Sequence, residues 1–361
     1  MVVSNISSQG TTLSLSTQDI RFSRLPFEQG SHAGRRLLLA EPFSDPQQVI
    51  IAGTEFLDVE FISPPAYLVL DLGRTVHGRI TAQVSGPQGA VLAIGWDERL
   101  YGETRRPLPY PGSFHYQWNQ VDSWILDGQV RSISTIDARA GRFLLLAVWA
   151  EGPVQIQNLQ VLEESYPLVQ RGDFHSSTPL LDRIWLTGVE TAHLNMTDSY
   201  TDTPWRERGQ WWGDAYVIDH VNRVAFGEYA LLRRGLAAMA NAFTPERAPG
   251  AAPNSNHTNM LDYAMLWVHS MAEYARDTED RSILEETYPV LLQFMDHLKS
   301  YENPQNSLLD LPQEHWSNTA YIEIYGYHSR YGQSTAANAL YYHTLQEAAW
   351  ISGKMGDASH Q

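Results

Sequence analysis

The sequence predicts a chain of two parts, a jelly-roll-like β-sandwich followed by a domain of helical hairpins. Three observations predict it. From residue 48 to 164, short apolar stretches alternate with a period of two and are closed by Gly, Pro, Asn or Asp. From about 171 the apolar residues recur at helical spacing instead. A chain of 361 residues is also too long for one modest core. The boundaries that follow are a lead-in or edge strands at 1–45, the β-sandwich at 46–168 and the helical domain at 169–361.

Residues 1–30 are polar, with weak alternation in TTLSLST, and RRLLLAEPF (35–43) reads as a strand ending before Pro42. The next strands are QVIIAG, FLDVEFI, AYLVLDLG (66–73), HGRITAQVSG (77–86) and AVLAIGWDERL (90–100). A Pro-, Gly- and Arg-rich loop at 102–113 interrupts them. Strand patterns resume at 114–126, 133–139, 141–150 and 154–164. So many short strands with no convincing helix between them make a sandwich.

The first helix opens at Thr178, a capping residue, and Pro179, which suits a first helical position; Leu181, Ile184, Trp185 and Val189 follow at helical spacing. Further helices are expected at 214–227, 228–244, 260–278, 283–301 and 335–353. Long loops return after alternate helices, which favours hairpins over a four-helix bundle, and loops of that length are usually functional.

Composition excludes several function classes. The formal net charge of −16 disfavours nucleic-acid binding, which needs a basic footprint. No apolar run reaches the length of a membrane span, and the N-terminus lacks the pattern of a signal peptide. A cytoplasmic location is therefore the default. With no cysteine there are no disulfides or thiolate metal sites. No G-x-G-x-x-G, G-x-S-x-G or H-E-x-x-H pattern occurs, so neither a cofactor nor a metal is expected. Eleven tryptophans and eighteen tyrosines fit a carbohydrate-handling surface, although most must be core.

The densest chemistry lies in DSYTDTPWRERGQWWGDAY, residues 198–216. Asp202, Glu207 and Asp214 stand there among Arg206, Arg208, Trp205, Trp211 and Trp212. Carboxylates supply general acid and base, and indole faces stack on the C–H faces of sugars. If a helix ran on from Pro204, Glu207 and Asp214 would share a face about 10 Å apart, but Gly209 and Gly213 favour a break. A carboxylate against the indoles with a second one nearby would hold its proton near neutral pH. Glu207 has the longest reach and lies between Trp205 and the Trp211–Trp212 pair, so it is the expected proton donor. Asp202 and Asp214 suit sugar hydroxyls, and the arginines can orient the carboxylates.

TDTPWRERGQWWGDA resembles the signature segment of the α-L-rhamnosidases of glycoside hydrolase family 78, roughly D-x-P-x-R-x-E-R-x-x-W-x-G-D. Asp202, Pro204, Arg206, Arg208, Trp211 or Trp212, Gly213 and Asp214 fall onto it in order. Upstream, LVLDLGRTVHGRITAQVSG, GAVLAIGWDERL and GRFLLL are similar to that family's β-sandwich strands, so the resemblance spans about 50–355. It implies an (α/α)6 six-hairpin barrel, of which this chain holds the first half, and an inverting exo-glycosidase acting on terminal α-L-rhamnosides. It also implies that Glu207 is the general acid and that rhamnose-containing glycosides or oligosaccharides are the partners.

An inverting enzyme needs a second carboxylate roughly 6.5–9.5 Å from the acid. The family's base lies far downstream of the Glu207 position, so the chain reads as truncated within the barrel. Glu314 is the nearest candidate base, with Trp316 beside it as a substrate contact. His257, in the loop before 260, and Tyr325, in an aromatic cluster with Tyr327 and Tyr331, are candidate cleft residues. Asp262 reads equally as a first-turn dipole partner, and Trp267 reads as core. Half a barrel would expose apolar helix faces, so an oligomer or a missing C-terminal half is expected. The alternative function is an inactive rhamnosidase-like carbohydrate-binding protein; another six-hairpin glycosidase, acting on glucosides or unsaturated uronides, is a third.

Overall fold

A computed structural model describes residues 57–61, 64–99, 120–243, 250–253, 259–312, 318–319 and 331–360, together with short strands at 2–3, 11–15 and 48–49. It divides into two compact units. One comprises 1–165 with 204–207; the other comprises 166–203 with 208–361.

The first unit is β-rich. Its strands are β1 (Val2–Val3), β2 (Thr11–Leu15), β3 (Gln48–Val49), β4 (Leu57–Phe61), β5 (Ala66–Ser85), β6 (Val91–Asp97), β7 (Val121–Ile125), β8 (Arg131–Ser134), β9 (Arg139–Trp149) and β10 (Val154–Glu163). Eight of them form one sheet in the order β2-β4-β10-β5-β9-β6-β7, with β8 added beside β5. Apart from the parallel β2–β4 pair, its ladders are antiparallel. Phe61, Leu68, Leu70, Ile80, Leu92, Ile94, Trp96 and Leu144 fill its core, the alternate positions that the period-two pattern singles out.

The two strands expected at 66–73 and 77–86 are one continuous strand, β5. The D-L-G between them makes a bulge rather than a hairpin, with register against β9 shifting between Asp71 and Val76. Asp71 explains why: its carboxylate accepts the Gly73 N–H at 2.8 Å and both arms of Arg142 at 2.8 and 2.9 Å, so the kink is held inside the ladder. The strand expected at 35–43 and the loop at 102–113 lie outside the described residues.

The second unit is helical. It contains α1 (Pro179–Leu194), α2 (Trp212–Ala225), α3 (Ala230–Asn241), α4 (Leu261–Thr278), α5 (Arg281–Lys299) and α6 (Thr335–Met355), with β11 (Asn259–Met260) paired to β12 (Asn318–Thr319). All six expected helices are present. Thr178 occupies the N-cap of α1 but its hydroxyl makes no capping bond; Asp182 accepts the Ser176 N–H at 2.8 Å instead. Asp280 and Ser334 cap α5 and α6 through their side chains. Helix α4 packs between α2 and α6, while α3 packs on α5.

The core of this unit gathers Leu232, Leu236, Met265, Val268, Met271, Ile283, Leu291, Phe294 and Leu298. Trp267 is fully buried there, as its spacing predicts, and its indole N–H donates to the Leu236 carbonyl at 3.1 Å. Among the described residues no helix is long and apolar enough to cross a membrane.

Candidate functional site

The segment that leads into the carboxylates is tied to α1 and α2 by buried polar bonds. Tyr200 donates to Asp219 Oδ1 at 3.0 Å and accepts from Asn222 at 2.8 Å. Asp219 also takes the Arg223 Nε–H at 2.5 Å, and Arg223 reaches on to Glu273 and Asp277 at 3.0 and 3.2 Å. Burial pushes the Asp219 carboxyl up, against the opposing pull of Arg223 and Tyr200. One residue on, the Thr201 N–H donates to the Asn195 carbonyl at 2.9 Å.

Asp202 then closes the following loop. Its N–H donates to the Gly209 carbonyl and its Oδ1 accepts the Gly209 N–H, both at 2.9 Å. The turn is made by Arg208 at φ 53°, a left-handed conformation that a non-glycine residue holds only when its surroundings demand it. No helix runs through Pro204–Trp211; α2 begins at Trp212. Glu207 and Asp214 therefore do not share a helix face, and the glycine break is what the chain adopts.

Asp214 sits in the first turn of α2, and Asp262 in the first turn of α4. A helix N-terminus favours negative charge at both positions. Together with Asp202 they line a cavity of about 420 Å³ in the helical unit, which Asn195, Gly213, Tyr263, Val217, Ile218, Leu266 and Leu340 complete. Gly213 is needed there, because a Cβ on it would lie 2.4 Å from the Tyr263 ring. Among the described residues no three His, Asp or Glu side chains gather closely enough to hold a metal ion. The wall thus combines carboxylate acceptors with aliphatic side chains, which suits a molecule bearing hydroxyls on one side and an apolar edge on the other.

The other expected site residues are distributed differently. Glu207 belongs to the β-rich unit, where Arg206 Nη1 donates to its Oε1 at 2.5 Å; both side chains are partly exposed. In the same unit the Trp205 indole N–H donates to Glu98 at 3.0 Å, so that indole is held by a strand-end carboxylate. Trp212 is 2% exposed, donates to Ser270 Oγ at 3.1 Å and packs beside Gly235, which makes it a core anchor for the start of α2. Trp211 is partly buried immediately before that start. His257, Glu314, Trp316 and Tyr325 lie outside the described residues.

The structure adds Asn195, Tyr263 and the aliphatic wall, and it gives Asp262 a place in the cavity besides its place at a helix N-terminus. A signal for Asp262 was in the chain: WGDAY at the start of α2 and MLDYA at the start of α4 both set an aspartate in the first helical turn with a tyrosine one or two residues on.

Residues 169–361, more than half of the chain, match the family model described as the bacterial alpha-L-rhamnosidase 6 hairpin glycosidase domain. Among solved structures, the chain is similar to a GH78-family rhamnosidase of Bacillus sp. GL1, with 21% identity and a TM-score of 0.67, covering 90% of this chain and 32% of that one. It is also similar to a rhamnosidase from Klebsiella oxytoca with rhamnose bound, at 19% identity and a TM-score of 0.66, covering 83% of this chain and 60% of that one. An α-L-rhamnosidase of Streptomyces avermitilis complexed with L-rhamnose gives 19% identity and a TM-score of 0.62, covering 82% of this chain and 28% of that one. The chain thus spans between about a quarter and three fifths of these proteins' lengths. Among curated protein sequences none matches. The match over the helical unit decides the family: this chain belongs to the bacterial α-L-rhamnosidase six-hairpin glycosidases.

Proposed function

We propose that this chain binds rhamnose-containing glycosides in the cavity formed by Asp202, Asp214 and Asp262, on a β-sandwich and (α/α)6-type framework. The observation that carries the reading is that cavity: three carboxylate-bearing residues from a loop and two helix starts, faced by Val217, Ile218, Leu266 and Leu340. Carboxylates accept hydrogen bonds from sugar hydroxyls at about 1.5–3 kcal/mol each when charged. The aliphatic residues suit the methyl group that distinguishes a 6-deoxy sugar. A uronic acid would bring a carboxylate among three others, which like-charge repulsion disfavours. Calorimetric titration of the chain with L-rhamnose and with glucuronate tests this. Binding of the first and not the second is expected; a preference for glucuronate would reject it.

The second reading is hydrolysis, with Glu207 as general acid and Glu314 as a candidate base. The specific support is the motif from Asp202 to Asp214 in a chain of this family. Turnover of an aryl α-L-rhamnoside separates the readings. If Glu207 donates the proton, Glu207→Gln lowers kcat by roughly 10²–10⁴-fold; sugar binding with no turnover in the unaltered chain leaves binding as the function.

A further inference from the structure

Four buried side-chain polar atoms lack a hydrogen-bond partner among the described residues: Trp96 Nε1, Asn195 Oδ1, Asn222 Oδ1 and Arg223 Nη2. Of these residues only Asn195 lines the cavity of Asp202, Asp214 and Asp262. It is 6% exposed and stands at the C-cap of α1. Its backbone carbonyl accepts from Thr201 at 2.9 Å, and its side-chain nitrogen donates to the Thr191 carbonyl at 3.0 Å. That second bond decides the orientation of the amide. A carbonyl can only accept, so the nitrogen must face Thr191 and the oxygen must face away from it.

A buried acceptor left without a donor carries a desolvation cost that a ligand donor would remove, and such atoms in native proteins call for a reason. The aspartates beside it are acceptors when ionised and cannot supply that donor. We propose that Asn195 is a ligand-binding residue of this cavity, and that its Oδ1 accepts a hydrogen bond from a hydroxyl of a neutral sugar. The proposal rests on the reading of the cavity as a sugar site and adds a neutral acceptor to its charged ones. The amide oxygen is an acceptor at any pH, whereas a protonated aspartate turns one of its two oxygens into a donor.

The test is calorimetric titration of the full chain with L-rhamnose and with its 2-, 3- and 4-deoxy derivatives, for the unaltered protein, Asn195→Ala and Asn195→Asp. Both substitutions delete the bond to the Thr191 carbonyl, but only aspartate keeps an oxygen acceptor, so damage to α1 is shared while ligand contact is not. Asn195→Ala is expected to weaken L-rhamnose binding about 2- to 12-fold, the range for one neutral hydrogen bond. Removing one particular hydroxyl should cost the unaltered protein a similar factor, cost Asn195→Ala nothing, and still cost Asn195→Asp. Equal binding by the unaltered protein and Asn195→Ala across the whole set overturns the Asn195 assignment and leaves the rhamnoside reading intact. Should the protein refuse L-rhamnose yet bind another neutral hexose in an Asn195-dependent way, the rhamnoside reading falls and the assignment stands. No binding of any neutral sugar removes both.

Discussion

Helices α1 and α4 are both rich in large apolar residues, and they are buried very differently. In α4, Leu261, Met265, Trp267, Val268 and Met271 are all buried, with Trp267 at 0% exposure. In α1 only Val189 and Ala192 are buried, while Leu180 and Ile184 are 59% and 58% exposed. Leu181 and Leu186 are exposed as well. The difference teaches that apolar periodicity specifies a helix and a sticky face, while the number of neighbours decides whether the face is covered. Helix α4 has α2, α3, α5 and α6 around it; α1 has α2.

The largest effect is expected from truncating one buried side chain of α4. Trp267→Ala removes a fully buried indole and its bond to Leu236, and should cost about 3–5 kcal/mol in urea unfolding. A loss below about 1 kcal/mol would mean that α4 is not the centre of this core.

The next effect is set by pH and again separates α4 from the surface. His269 of α4 donates to or accepts from Thr344 at 3.0 Å, and its ring lies 4.2 Å from that of His343. Burial, followed by the charge of His343, pushes its pKa down to about 4. The folded value lies below the ordinary 6.5, so the unfolded chain takes up the proton first as pH falls. Stability from this group is complete above pH 6.5 and drains away toward pH 4, by up to about 3 kcal/mol. Unfolding midpoints measured across that window should fall for the unaltered chain and stay flatter for His269→Asn.

A third, smaller effect probes the helix starts at the site. Asp214→Asn keeps the shape of the first turn of α2 and removes its charge, which should weaken L-rhamnose binding by about 1.5–3 kcal/mol with little change in unfolding. If the affinity is unchanged, Asp214 serves α2 and not the ligand. The smallest effect belongs to α1. Ile184→Gln replaces an exposed apolar side chain and should shift stability by no more than about 0.5 kcal/mol. A cost several times larger, growing with protein concentration, would show that another surface covers this face.

Much of the architecture was legible from local pattern. Alternation marked the β-rich half, and the helical period located all six helices. The misreading at Asp71–Gly73 shows the limit, because a turn signal is also a bulge signal and only Arg142, far along the chain, selects between them. The site was legible in part for the same reason. Asp202 and Asp214 sit close together in sequence and share one cavity, whereas Asp262 and Asn195 reach it from other helices. The three tryptophans of the patch looked alike in sequence, yet Trp205 bonds Glu98 and Trp212 enters the core.

What the sequence determined by itself was whatever depends on neighbours a few positions away: the period of each element, the glycine break before α2 and the family motif. Tertiary structure alone decided which apolar face is covered, which indole is core and which carboxylates meet around one cavity. Those outcomes depend on contacts between residues distant along the chain, and such contacts leave no periodicity to read.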